Sequence, residues 1–512
     1  MDRIAYALIL LFTAFLIIFG WKFHPIENIH SPENDRYVDT ADQIRGGHIP
    51  KDPFRPLLYP IVAAGAGAVL GDTFVGARLT TSLFGGLLAL FTYLLGRRCF
   101  SRRVGLFAAL GVMLNQMVIV EGVHAASDIA FSSLVMFVLL LSLGMDKSLG
   151  PRSVLMLALF FSLAYFTRYQ AILLLPTVLI AFSAAPGVGA RRKLSALFLF
   201  AVGASIFLLP HFYLTYRAFG NPFYSENWKN LAFKLYGERD WSYYEHVPFD
   251  GWLSVIMSAP GAVAISAIRE ITRFVYSGVI SLGGGGPAGA LFAAAFLFGI
   301  YIFLTPLSRA NLVILSFLLV YTVGVAATYE TWARYMLPIL PLGYILAGSF
   351  IFSDAFGGCF RLRKYRIQRA VPVAAVFLAA LCCTSVKALP GFIESHPVKE
   401  VEAGIMLQKR YGSDLRVLGT FPFVGRHVKY WYDELERVHA DERGNKAAYY
   451  NRLRKVLAEE RVDYVIIGRL TIRDRPGELL TGAGVPPFLS LISRNGDTAV
   501  YRVVRPKLGQ FR

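Results

Sequence analysis

Glu121-Gly-Val-His124-Ala-Ala-Ser127-Asp128 leads straight into Ile129-Ala-Phe-Ser-Ser-Leu-Val-Met-Phe-Val-Leu-Leu-Leu-Ser-Leu-Gly-Met145, a run with no charged residue, and Asp146-Lys147 closes it. A helix crosses the roughly 30 Å hydrocarbon core of a bilayer with about 20 mainly apolar residues, so this stretch reads as a membrane span with a carboxylate at its mouth. The same requirement, moved along the chain, predicts about eleven spans. They lie near residues 4–20, 73–95, 104–120, 128–145, 153–167, 171–186, 194–214, 288–305, 310–327, 336–353 and 370–386. Composition agrees: 55% hydrophobic and 17% charged residues with a mean hydropathy of +0.49 are too apolar for a string of soluble domains. The fold class expected is a polytopic α-helical membrane protein.

The net charge of +18, from 52 basic and 34 acidic residues, would suggest nucleic acid in a soluble chain, but its distribution argues otherwise. Arg97, Arg98, Arg102 and Arg103, then Lys147 and Arg152, then Arg191, Arg192 and Lys193, then Arg309, then Arg361, Arg363, Lys364, Arg366 and Arg369 occupy every second connection. The positive-inside rule places those connections and the Met1-Asp2-Arg3 start in the cytoplasm. An odd number of spans then leaves the C-terminus on the other side, the periplasm of a bacterial inner membrane. Nucleic acid is not an expected partner; membrane lipids are. The Gly20-Trp21-Lys22-Phe23 exit of the first span offers no small-x-small cleavage site, so that span reads as a retained anchor. Four cysteines with no C-x-x-C exclude a disulfide scaffold, a zinc ribbon and an iron–sulfur protein.

Three tracts outside the spans are long enough to carry function. Residues 21–72 and 215–287 are outer loops within a membrane domain of residues 1–386, and residues 387–512 are water-soluble in character. In the last tract, Val398–Tyr411 and Lys446–Arg461 have helical periodicity, and Leu415–Gly419 and Asp463–Gly468 read as buried strands. Phe488–Ser493 and Thr498–Val504 flank Asn495-Gly496, a hairpin signal. A small periplasmic α/β domain is expected there.

Charge at the outer ends of spans is costly unless it is used. Asp35, Asp39 and Asp42 follow i, i+4, i+7 spacing; the last two fit a solvated helix face, and Asp35 fits either an N-cap or a site acid. Asp128 is either a cap favoured by the helix dipole or a site carboxylate, and His124 reads as a packing histidine. Arg55, Arg168 and Arg334 oppose the basic-inside trend, which makes them candidates for recognising an anion, because guanidinium binds phosphate oxygens bidentately. Tyr37, Tyr59, Glu121, Tyr169, Glu330 and Tyr335 neighbour these charges and are the candidate substrate contacts. No P-loop is present, and Gly283–Gly286 before Pro287 reads as a hinge.

In order along the chain, Asp35-Arg-Tyr37, Gly46-Gly47, Arg55-Pro-Leu-Leu-Tyr-Pro60, Ser127-Asp128, Leu163-Ala-Tyr-Phe-Thr-Arg168, Gly220-Asn-Pro-Phe-Tyr-Ser-Glu-Asn-Trp228 and Arg334-Tyr-Met-Leu-Pro-Ile-Leu-Pro341 resemble the bacterial GT-C glycosyltransferases of families 39 and 83, the protein-mannosyltransferase and aminoarabinose-transferase-like branch. The resemblance covers most of residues 1–386. It implies a polyprenyl-phosphate sugar donor, a periplasmic acceptor that is a protein, lipid A or another glycan, and an outer C-terminal domain. It implies that Asp35 activates the acceptor, that Asp128 is the second carboxylate, and that Arg55, Arg168 and Arg334 hold the lipid phosphate. A divalent metal at Asp35 and Asp128 is the one cofactor in question. Two departures bear on it: Arg36 stands where many relatives have an acid, and Phe54 stands where the aminoarabinose branch has one before the basic residue.

Expected is therefore a membrane glycosyltransferase. A polyprenyl-linked O-antigen polymerase or ligase would place basic outer loops elsewhere. A lipid-linked glycan transporter would show internal repeats and mid-membrane charges, neither of which the sequence contains.

Overall fold

The computed structural model describes residues 1–23, 32–145, 149–236, 247–304, 308–328, 334–353, 359–362, 365–394, 398–419, 430–432, 446–468, 485–496 and 498–505. They fall into two compact units, one of residues 1–22 and 37–390, the other of residues 23–36 and 391–512.

The first unit is helical. It runs α1 Asp2–Phe23, α2 Pro32–Arg45 (shared with the other unit), α3 Leu58–Leu70, α4 Thr73–Cys99, α5 Arg102–Leu114, α6 Gln116–Glu121, α7 Asp128–Gly144 and α8 Pro151–Thr167. A 3₁₀ turn, Tyr169–Leu174, leads into α9 Leu175–Ser183, then α10 Ala190–Phe219, α11 Trp228–Tyr236, α12 Trp252–Ser258, α13 Pro260–Arg273, α14 Val279–Leu282, α15 Gly286–Phe303, α16 Arg309–Thr328, α17 Leu340–Ile351 and α18 Ala370–Glu394. Strands β1 Cys359–Leu362 and β2 Tyr365–Gln368 pair between α17 and α18. Among the described residues, α1, α4, α10, α15, α16 and α18 are long and apolar enough to cross a bilayer, and α12 with Pro260–Leu282 would add a seventh, bent by 96°. The protein is a multi-pass membrane protein.

Several expected spans are shorter or broken, each for a local reason. Residues 104–120 are two helices, because Asn115 ends the first and restarts the second: its Oδ1 accepts from Met117 N (2.9 Å), while its Nδ2 donates to Leu282 O (2.7 Å). Residues 171–186 open as 3₁₀ before α9. The tract 21–72 is not only loop, since α3 is an apolar helix of 13 residues. It lies on α4 at Gly76, where a Cβ would come within 2.4 Å of Gly67 N. Tyr59, on α3, fastens the pair: its hydroxyl donates to Ala77 O (3.0 Å) and meets Thr81 Oγ1 at 2.7 Å. At the other end of α4, Asp2 gathers Tyr93, Arg97 (3.3 Å) and Arg102 (3.6 Å), tying the start of α1 to the α4–α5 turn.

The second unit contains α19 Val398–Tyr411, α20 Lys446–Glu459 and five strands: β3 Arg416–Leu418, β4 Tyr430–Tyr432, β5 Tyr464–Ile467, β6 Leu489–Asn495 and β7 Thr498–Val503. The order is β4-β3-β5-β7-β6, with β3 parallel to β4 and β5, and β7 antiparallel to β5 and β6. Side-chain alternation along β5 divides the core. Val465 and Ile467 pack with Leu453 and Leu457 of α20, whereas Tyr464 and Ile466 pack with Ala403 and Leu407 of α19, as a strand of period two covered on both faces requires. Strand β6 extends through Asn495, which pairs with Thr498. The turn thus begins one residue later than the Asn-Gly signal suggests, at Gly496 with φ +57°.

Substituting Gly76→Leu will push α3 off α4. Overpacking at such a contact costs about 1–3 kcal/mol, so the melting temperature of the purified protein in detergent should fall by several degrees. An unchanged melting temperature would contradict the α3–α4 contact.

Candidate functional site

Asp128 is the first residue of α7 and is 3% exposed. The Ser127 side chain makes no capping bond to α7, and the Asp128 carboxylate is instead engaged by the Arg168 guanidinium. Arg168 can reach it because α8 ends at Thr167 and Arg168 itself is extended (φ −151°, ψ 136°), which throws its side chain sideways toward the start of α7. It points inward with 14% side-chain exposure and does not snorkel. Burying two charges is tolerated when they pair closely and further donors complete them.

Aromatic rings complete this pair. Arg168 lies 5.5 Å from the centre of the Tyr335 ring, and Arg334 lies 4.9 Å from the same ring while its Nη2 donates to the Tyr335 hydroxyl at 3.1 Å. The Tyr335 backbone is fixed from α16, where the Tyr321 hydroxyl donates to its carbonyl (2.8 Å). Arg334 feels Asp128 and Glu121 as attractive charges and Arg168 as a repulsive one. Glu121 closes the end of α6 and meets His124 Nδ1 at 3.4 Å; His124 is buried.

Tyr37 links this cluster to Arg55. Its hydroxyl is 2.7 Å from Ser127 Oγ, and Arg55 sits 5.3 Å from the centre of its ring. Burial pushes the Tyr37 phenol above its ordinary range, against the fields of Arg168 and Arg55, so it stays protonated at neutral pH. Arg55 is held by Asp52: Oδ2 accepts from Arg55 Nη1 (3.1 Å), and Oδ1 accepts the backbone N–H of Phe54 (2.9 Å) and Arg55 (3.0 Å).

The structure therefore brings together Asp128, Arg168, Arg334, Tyr335, Tyr37 and Arg55, with Glu121 at the edge. Tyr169 opens the 3₁₀ turn and faces Tyr165 (5.5 Å) and His211 (5.7 Å) while feeling the Asp52 charge. Tyr59 is drawn into the α3–α4 contact, 5.3 Å from Tyr37, with its hydroxyl used there; it supports the group from behind. Asp39 and Asp42 are exposed on α2. The Asp35 side chain and Glu330 lie outside the described residues. Among the described residues no group of three or more His, Cys, Asp or Glu could hold a metal. Two members went unread in the sequence: Ser127 as a partner of Tyr37, and Asp52, although Asp-Pro-Phe-Arg has the spacing of a side-chain turn closed by an i, i+3 ion pair.

Comparison with known proteins bears on the fold. A family described as dolichyl-phosphate-mannose-protein mannosyltransferase matches residues 54–214. The structure of ArnT from Cupriavidus metallidurans in the apo state superposes with a TM-score of 0.58 at 15% identity, over 98% of each chain. The same protein bound to undecaprenyl phosphate gives 0.58 at 15%, over 97% of this chain and 98% of that one. The oligosaccharyltransferase of Archaeoglobus fulgidus in the apo form gives 0.57 at 13%, over 90% of this chain and 69% of that one. Among proteins with curated descriptions, none matches significantly. The chain has the fold of the GT-C glycosyltransferases of the protein-mannosyltransferase and aminoarabinose-transferase-like type.

Replacing Asp128 with Ala strands the Arg168 guanidinium and should destabilise the protein by about 3 kcal/mol, the ordinary cost of breaking a buried pair from one side. The double variant Asp128→Leu, Arg168→Met should recover most of that loss in thermal unfolding. Strictly additive losses would contradict the pairing.

Proposed function

We propose that this chain is a membrane glycosyltransferase that moves a sugar from a polyprenyl-phosphate donor to a periplasmic acceptor. The observation that carries the reading is the convergence of Arg168 and Arg334 on the one Tyr335 ring, beside the buried Asp128. Guanidinium groups fixed by aromatic and carboxylate partners are preorganised for a phosphate, and such groups stabilise charge where water is excluded. ArnT has been seen with undecaprenyl phosphate bound, which supports a lipid phosphate as the ligand of the same fold.

In the proposed reaction the acceptor oxygen or nitrogen bonds to C1 of the sugar as the C1–O bond to phosphate breaks, with inversion. The electron pair of that bond leaves on the phosphate oxygen, where Arg168, Arg334 and Arg55 balance it. Asp35, assigned on the sequence alone, takes the acceptor's proton as general base. Asp128 is already engaged by Arg168, so its proposed task is to hold that guanidinium at the phosphate. Tyr37, still protonated, can donate a hydrogen bond to the donor, and Glu121, Tyr169, Glu330 and Tyr335 complete the proposed substrate contacts. The eleven-span topology belongs to the same proposal, with a cytoplasmic N-terminus, residues 1–386 in the inner membrane and a periplasmic domain from residue 387 to 512.

Incubating the purified protein with radiolabelled polyprenyl-phosphate sugars and membrane acceptors tests the activity. Transfer is expected from one donor class, and Arg334→Gln should lower kcat/KM by about 100-fold or more, the usual effect of losing a transition-state donor. Absence of transfer from every donor overturns the reading. Asp35→Asn should abolish transfer; full activity would remove Asp35 from the mechanism. Reporter fusions at residue 512 should be active in the periplasm, and a cytoplasmic signal would reverse the topology.

A further inference from the structure

Residues 221–236 lie outside the arginine cluster yet touch the supports of two of its members. Tyr224 donates to Glu226 (2.7 Å), and Glu226 also takes Lys229 (2.8 Å). From this turn the backbone N–H of Glu226 donates to Pro53 O (2.9 Å). Asn227, 9% exposed, donates through Nδ2 to Phe54 O (2.9 Å) and to Ser225 Oγ (2.8 Å). Both carbonyls belong to the turn in which Asp52 aims Arg55.

Seven residues further on, at the other end of α11, Lys234 Nζ donates to Ala326 O (2.6 Å). Ala326 is in the last turn of α16, where a cation meets the negative end of the helix dipole, and the same helix holds the Tyr335 carbonyl, next to Arg334, through the Tyr321 hydroxyl (2.8 Å). Between these ends α11 is seated by its apolar side: Leu231 and Ala232 are buried with Val255, against Trp228, Phe249 and Trp252.

We propose that residues 221–236 are a strap that sets the spacing of the anion site, Asn227 fixing the Arg55 arm and Lys234 fixing the Arg334 arm. The proposal rests on the reading of these arginines as phosphate ligands. Neither strap residue is placed at the reacting atoms, so both are positioning residues. Loosening either one lets a guanidinium wander, which weakens phosphate binding and raises KM for the donor more than it lowers kcat.

The test is a double-mutant cycle on the full-length protein in detergent, read by the Kd for undecaprenyl phosphate and by KM and kcat for transfer. Asn227→Leu removes the amide donors at nearly constant volume and, at the ordinary worth of a buried hydrogen bond, should raise Kd about five- to tenfold. On an Arg55→Ala background it should add less than twofold. Lys234→Met should behave in the same way on an Arg334→Gln background, yet be additive with Asn227→Leu. Should Asn227→Leu fail to fold, Asn227→Ser is read in its place, with a melting temperature matched to the parent as the condition for comparison. A full five- to tenfold effect of Asn227→Leu on top of Arg55→Ala overturns the strap. Unchanged binding by Arg55→Ala is a different result: it removes Arg55 from phosphate recognition and takes the purpose of that arm with it.

Discussion

The ion pair between Arg168 and Asp128 is the constraint on which the rest of the site depends. Two helices, α7 and α8, bring their polar ends to one place, and the guanidinium–carboxylate contact is what makes that place stable without bulk water. The pair fixes where Arg168 points. The Tyr335 ring then lies 5.5 Å from Arg168 and 4.9 Å from Arg334, and Ser127, next to Asp128 in sequence, meets the Tyr37 hydroxyl. Removing the pair would leave Tyr335 and Tyr37 held by their hydrogen bonds to Tyr321 and Ser127, but Arg168 without the carboxylate that aims it. It also turns a costly feature, charge at the end of an apolar helix, into a preorganised one.

The scaffold around it is irregular where the chemistry is proposed, in contrast to four of its long helices. The long apolar helices α4, α10, α16 and α18 are uninterrupted over lengths that match a bilayer. By contrast α5 breaks at Asn115, α8 gives way to a 3₁₀ turn at Arg168, and Pro338 and Pro341 delay the start of α17 through another 3₁₀ turn at Leu337–Ile339. Non-helical backbone at membrane depth survives only where protein or a hydrated cavity satisfies its polar groups. Asn115 shows how one side chain does this, since it accepts from the next helix and donates to Leu282 O.

Much of this was legible in the sequence because membrane physics writes in long runs. The apolar stretches, the alternation of basic connections and the arginines that break that alternation are one-dimensional signals, and Arg55, Arg168 and Arg334 stood out by their exception. Strands β3, β5, β6 and β7 of the second unit were legible too, whereas β4 Tyr430–Tyr432, paired in parallel with β3, was not. What escaped was decided by contacts between distant residues. Nothing near Tyr59 announces that its hydroxyl belongs to Ala77 and Thr81, so it read as a substrate contact. Asn227 looks like any loop asparagine until Phe54 is seen 173 positions away. Helix α3 was lost in the outer tract because its 13 residues are too few to register as a span, although glycines at 67 and 76 let it press closely on α4.

Arg168 and Arg334 are proposed to hold a lipid phosphate between them. Phosphorus NMR of undecaprenyl phosphate titrated with the purified protein addresses it most directly, because it reports the phosphate itself and needs no knowledge of the sugar or the acceptor. The resonance should shift and saturate at one phosphate per chain, and the shift should disappear in Arg168→Gln, Arg334→Gln protein that still folds. A resonance that moves equally with the parent and the double variant, or with neither, would contradict it.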